Sequence, residues 1–95
     1  MTFDTLNAPG RPAAIIADFE TAAGSGDLPV AEAMVRSLIR ATVDAIRGRD
    51  IDALRNLGEA VEDFTGSRIE VIEKRAPRLA ARVEHLLPII SEAMD

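Results

Sequence analysis

The sequence predicts an all-α protein, a small helical bundle of about four helices. The 95-residue chain has 47% hydrophobic but only 3% aromatic residues, so its core must consist mainly of Ala, Ile, Leu and Val, which suits close helix packing. Apolar residues recur at helical spacing in four segments, and Gly, Pro or capping residues separate these segments. No segment alternates long enough to predict a β-strand.

The chain divides into a short N-terminal arm and one folded unit. Residues 1–9 show no hydrophobic period, and we expect them to form an extended or disordered arm. The alternative is an arm that packs Phe3 and Leu6 onto a neighbouring surface. Residues 10–95 are expected to form a single helical domain, because a chain of this length builds one core.

The first helix is predicted over residues 12–23. Pro12 suits the first helical turn, where its missing N–H is not needed, and Gly24 follows the last turn as a stop signal. The apolar face consists of Ile15, Ile16, Phe19 and Ala23.

The second helix is predicted over residues 28–47, with Asp27 as its N-cap and Gly48 as its stop. Six large apolar residues cover so much of its circumference that we expect it to be central and buried on more than one side. These residues are Met34, Val35, Leu38, Ile39, Val43 and Ile46. A polar stripe through Glu32, Arg36, Arg40, Asp44 and Arg47 occupies the remaining side.

The third helix is predicted over residues 51–64. Asp50 is a good N-cap residue, and Gly66 is expected to end the helix. Its inner face consists of Ile51, Leu54, Leu57, Val61 and Phe64.

The fourth helix is predicted over residues 68–94 as one long helix, bent at Pro77. Ser67 and Glu70 have the spacing of a capping box at its start. A ladder of apolar residues then advances in steps of three and four, as in a helix-packing seam: Ile69, Ile72, Ala76, Leu79, Val83, Leu86, Ile90 and Ala93. The alternative is a break at Ala76, since a residue before proline disfavours the α region.

A helix of that length would exceed the roughly 21 Å of the third helix and leave part of its seam uncovered. We therefore expect a homodimer formed through the C-terminal helix, with a compact monomer as the alternative. The expected interface residues are Ile72, Leu79, Val83, Leu86, Leu87 and Ile90. Basic residues of the fourth helix, including Arg68, could face acidic residues of the third, including Asp63.

Charge and composition exclude several classes of function. The net charge of −5 opposes binding to nucleic acid or to an anionic membrane, because both require a positive field. The first residues lack the basic and long apolar regions of a signal peptide, so a cytoplasmic location is expected. Lys74 is the only lysine among many arginines and alanines, which indicates a GC-rich bacterial or phage genome.

Reactive groups are few, and the sequence predicts no catalytic residue, no cofactor and no metal ligand. The chain has no cysteine, and its one histidine, His85, has no glutamate at the spacing of a di-iron bundle. We expect His85 to face solvent or to cap a helix.

The sequence therefore favours a non-enzymatic protein–protein interaction module, which binds itself and another protein as an adaptor, regulatory subunit or small inhibitor. The alternative is a small ligand-binding or catalytic bundle that uses Arg36 and Arg40 of the second helix. Chemistry of the chorismate mutase type needs such guanidinium groups to stabilise a dianionic transition state. However, Gly48 and Gly66 interrupt the chain where that fold keeps long helices.

Overall fold

The computed structural model describes residues 10–95, and the predicted arm at residues 1–9 lies outside this range. The described residues are compact, 87% helical and without strands, which confirms the all-α fold class. They form six helical segments: α1 (Arg11–Gly24), α2 (Leu28–Arg47), α3 (Ile51–Ser67), α4 (Ile69–Arg75), α5 (Pro77–Glu84) and α6 (Leu86–Met94).

The prediction of four helices is roughly right for the described part of the chain. Only His85 separates α5 from α6, and its φ of −65° and ψ of −15° are still helical. When these two segments are counted together, the described residues form five helices. The additional helix arises because the predicted fourth helix is divided.

Two aspartates start α2 and α3 as the sequence predicts. The Asp27 carboxylate accepts a hydrogen bond from the Val30 N–H at 3.4 Å. The Asp50 carboxylate accepts one from the Ala53 N–H at 3.1 Å. Each cap satisfies a backbone donor that has no partner within its own helix.

The predicted capping box at Ser67 is wrong. Helix α3 continues through Gly66 to Ser67, and the Ser67 hydroxyl donates backwards to the Asp63 carbonyl at 2.7 Å. Arg68 is the N-cap residue of α4, which has no side-chain cap. The serine cannot cap the next helix because it still belongs to the previous one.

The predicted long C-terminal helix is interrupted at Ala76. Its φ of −143° and ψ of 68° lie outside the α region, as expected where the ring of a following proline crowds the preceding residue. The bend at proline is only 9°, well below the roughly 20° of a sharp kink. The sequence predicts one helix with a bend at Pro77. The structure instead has two helical segments, divided at Ala76, with little change of direction between them.

The helices enclose one hydrophobic core to which all six contribute. Helix α1 packs mainly on α2, α6 packs mainly on α3, and α5 contacts both α2 and α3. At the centre, the fully buried rings of Phe19 and Phe64 meet edge to face, with centroids 5.8 Å apart and an interplanar angle of 72°. This contact joins α1 to α3 in a core that is otherwise aliphatic.

We expect Phe64→Ala to lower the free energy of unfolding by about 3–5 kcal/mol, because it leaves a cavity and removes the aromatic partner of Phe19. Chemical denaturation measures the change. Val71→Ala is the matched control, since Val71 is 65% exposed and should stay within about 0.5 kcal/mol of the wild type. Equal losses in the two variants would contradict the central role of Phe64.

Gly58 provides a second test, at the contact between α3 and α6. A Cβ atom at this position would lie 3.4 Å from Ile90 Cγ2, so alanine fits but a larger side chain does not. We expect Gly58→Ala to raise the unfolding free energy by about 0.5–1 kcal/mol, because alanine favours a helix interior, whereas Gly58→Val should lower it. Thermal unfolding measures both variants.

Gly66 supplies the matched control for the Gly58 variants, because a Cβ atom there meets nothing within 4 Å. Gly66→Val should therefore avoid the loss expected for Gly58→Val. If valine were tolerated equally at the two positions, the close approach of α6 to Gly58 would be wrong.

Candidate functional site

The structure places the six predicted interface residues on the inner side of the C-terminal segments. Four of them are buried in the core of the same chain, with exposed fractions of 5% or less: Ile72, Val83, Leu86 and Ile90. Leu79 and Leu87 are partly buried and pack against that core. The ladder is thus largely covered within one chain, and its contact with a second chain stays a prediction.

Helix α2 carries a row of exposed apolar side chains that the sequence analysis placed in the core. Ile39, Val43 and Ile46 are 37%, 39% and 37% exposed, and we call these three residues the α2 stripe. They directly follow Leu38, Thr42 and Ala45, which are buried. The expectation that α2 is buried on more than one side is therefore wrong for this flank.

The spacing of the α2 stripe is the signal that could have revealed it. Its residues advance by four and then three positions, while the buried row Ala31, Val35, Leu38, Thr42 and Ala45 has its own alternation of four and three. A helix with two such rows presents two apolar faces, and the core of this chain covers one of them. Sequence alone does not show which of the two rows is buried in the core, because both rows are apolar.

Charged residues of both signs border the α2 stripe. Arg36 lies 3.8 Å from Glu32 in an exposed pair one helical turn apart. Arg40, Asp44 and Arg47 have no ion-pair partner among residues 10–95. Helix α2 therefore carries charged groups of both signs that form no ion pair with a described residue.

A cleft of about 470 Å³ opens where α1 begins, α2 ends and α3 begins; we call it the Arg40 cleft. Its deeper wall is apolar, with Ile15, Ala45 and Leu57 each no more than 6% exposed. Its rim is charged and exposed: Arg11, Arg40, Asp44 and Asp50. The cleft is open to solvent and combines apolar side chains with charged ones, which is the mixture of groups that small-molecule sites use.

The structure separates the two arginines on which the ligand-binding alternative depends. Arg40 lines the cleft. Arg36 does not line it, and its side chain is 74% exposed beside Glu32. Arg11 is the second guanidinium at the rim, and the sequence analysis did not single it out because only the fold brings the start of α1 beside the end of α2.

Arg68 is the cation that links the most elements. Its Nε donates to both Glu20 carboxylate oxygens at 2.9 and 3.0 Å, and its Nη1 donates to Asp63 at 2.8 Å. The hydrogen bonds from Arg68 to Asp63 and Glu20 raise the pKa of the guanidinium above its ordinary value. Of the charge contacts expected between the third and fourth helices, the pair Arg68–Asp63 forms, and Glu20 of α1 adds a partner that was not expected.

His85 is exposed and its backbone N–H closes the end of α5 by donating to Ala81 at 2.9 Å. Within residues 10–95, no three His, Asp or Glu side chains are grouped so that they could hold a metal ion. None of the helices in this range combines the length and the apolar character needed to cross a membrane.

Comparisons with protein families, with curated proteins and with solved structures give no match for this chain. The α2 stripe and the Arg40 cleft must therefore be interpreted from their own geometry and chemistry.

We expect Arg68→Met to lower the unfolding free energy by about 1 kcal/mol or less, because the guanidinium is partly exposed and its ion pairs are screened. The difference from the wild type should shrink in about 1 M salt, where the Debye length is short. Urea denaturation at two salt concentrations measures it. A loss that did not change with salt would indicate lost packing of the side-chain stem instead of lost ion pairs.

Proposed function

We propose that this protein is a non-enzymatic protein–protein interaction module that forms a homodimer through the α2 stripe, and that it acts as an adaptor, a regulatory subunit or a small inhibitor. The observation that carries this proposal is the exposure of Ile39, Val43 and Ile46 along one side of a well-formed helix.

The spacing of the α2 stripe supports a helix as the partner element. Residues four and three apart form a line along the helix that fits between the side chains of a facing helix. Recognition of one helix by another commonly uses anchors at positions i, i+4 and i+7. Among the described helices, none besides α2 exposes three large apolar side chains.

The side-chain types of the α2 stripe support tight packing at low entropic cost. Ile39, Val43 and Ile46 are all β-branched, and such side chains already occupy mainly one χ1 rotamer in a helix. Their burial therefore sacrifices little rotamer freedom. Each Å² of apolar surface removed from water contributes about 25 cal/mol.

A second copy of the chain is a suitable partner because a twofold interface pairs a surface with itself. An apolar row complements an identical apolar row, and Glu32 and Arg36, which lie near the stripe and outside the Arg40 cleft, supply both signs of charge. A twofold arrangement can place these opposite charges across the interface. The C-terminal ladder is a weaker choice for this surface, because most of it already packs against the core of its own chain.

The size of the α2 stripe sets the expected strength of the dimer. Stable interfaces bury about 800 Å² per partner with some 20–30 residues on each side. Three residues that are each less than half exposed provide only the centre of such an interface. We therefore expect a transient dimer with a dissociation constant of order micromolar.

Sedimentation velocity at rising protein concentration tests the proposal. The wild type should shift from monomer to dimer, and Val43→Lys should raise the dimer dissociation constant at least about tenfold, because it places a charge at the centre of the apolar row. Val71→Lys is the matched control: Val71 is the more exposed valine, lies on α4, and should leave association unchanged.

Two results would overturn this proposal. One is a wild-type protein that stays monomeric throughout the concentration series. The other is a dimer that survives Val43→Lys while circular dichroism shows intact helices, which would move self-association to another surface such as the C-terminal ladder.

A further inference from the structure

The Arg40 cleft lies on a different side of α2 from the surface proposed for dimerisation. Successive residues of a helix differ by about 100° around its axis, so Arg40 points well away from its neighbour Ile39. The cleft is lined by α1, α2 and α3. Its chemistry therefore requires an explanation independent of self-association.

We propose that the Arg40 cleft binds a small amphipathic monocarboxylate, with the apolar body of the ligand against Ile15, Ala45 and Leu57 and its carboxylate between Arg11 and Arg40. The buried wall supplies apolar contact, and the two guanidinium groups at the rim supply the cations. Guanidinium is the side-chain group best matched to a carboxylate, because its planar donors can bind both oxygens.

The two arginines at the rim form no ion pair with a described residue, and this supports binding of an external anion. Within residues 10–95, Arg11 and Arg40 have no carboxylate within 4.0 Å. Their N–H donors are therefore not used in ion pairs with described residues. The 14-residue helix α1 also begins at this rim, and its N-cap residue Gly10 supplies no side-chain acceptor, so the positive end of the helix dipole adds to the field.

The acidic residues at the rim limit the charge of the ligand. Asp44 and Asp50 balance Arg11 and Arg40, so the four side chains at the rim have no net charge. Asp50 is already engaged as the cap of α3, whereas Asp44 faces the cleft without an ion-pair partner among the described residues. A dianion such as phosphate would meet repulsion there, and one negative charge on an apolar body fits better.

Titration of ¹⁵N-labelled protein with phenylacetate, followed by two-dimensional NMR, tests the proposal. Saturable shifts are expected at the amides of Ala41, Ala53 and Leu57. Phenylacetamide has the same apolar body but a neutral amide in place of the carboxylate. It should bind at least about tenfold more weakly, because a carboxylate accepts stronger hydrogen bonds from a guanidinium than a neutral amide does.

Three substitutions test whether phenylacetate binds in the cleft or is attracted only by the overall charge of the protein. Arg40→Gln should weaken phenylacetate binding at least about tenfold, while Asp44→Asn should tighten it several-fold, because it removes the opposing carboxylate. Arg36→Gln is the matched control: it removes the same charge from the same helix outside the cleft, and binding should stay unchanged.

Three results would overturn the monocarboxylate site. The first is a set of amide shifts that do not saturate with phenylacetate, and the second is binding of phenylacetamide as tight as that of phenylacetate. The third is an equal loss of phenylacetate affinity in Arg40→Gln and Arg36→Gln. Val43→Lys, which tests dimerisation, should leave phenylacetate binding intact, so failure of either proposal is distinguishable from failure of the other.

Discussion

The organisation of the C-terminal third depends on one steric constraint at Ala76. The ring of Pro77 disfavours the α conformation at the preceding residue, and Ala76 accordingly leaves the helix with a φ of −143°. A continuous helix over this segment would be about 40 Å long, which exceeds the 34 Å extent of residues 10–95 along their longest principal axis. In the folded chain α4 contacts α1, α5 contacts α2 and α6 contacts α3.

The apolar surfaces of the C-terminal segments and of α2 differ in how far the core covers them. Most residues of the C-terminal ladder are buried in the same core as Phe19 and Phe64. On α2, Ile39, Val43 and Ile46 remain partly exposed as one row, and exposed apolar residues occur on α3, α4 and α6 as well. The sequence placed the dimer surface on the C-terminal ladder, but most of this ladder is buried in its own chain, and the proposed surface therefore moves to α2.

Helix α2 has a different chemical environment on each of its sides. One side packs into the core, a second carries the apolar stripe, and a third contributes Arg40 and Asp44 to the cleft. These surfaces can act independently because the helix is rigid and the residues point in different directions. The proposed self-association and the proposed carboxylate site therefore require separate substitutions, and Val43 and Arg40 provide them.

Local chemistry was sufficient to predict the fold class, the first three helices and the caps at Asp27 and Asp50, because helical periodicity and capping depend on neighbours in sequence. Sequence also contained the tendency of Ala76 to leave the helix, but it could not weigh that tendency against an unbroken ladder. Tertiary structure alone decided which apolar row of α2 is buried, because two similar rows compete for one core. It also decided that Arg11 joins Arg40 at one cleft, since these residues are distant in sequence and only the packing of α1 against α2 and α3 brings them together.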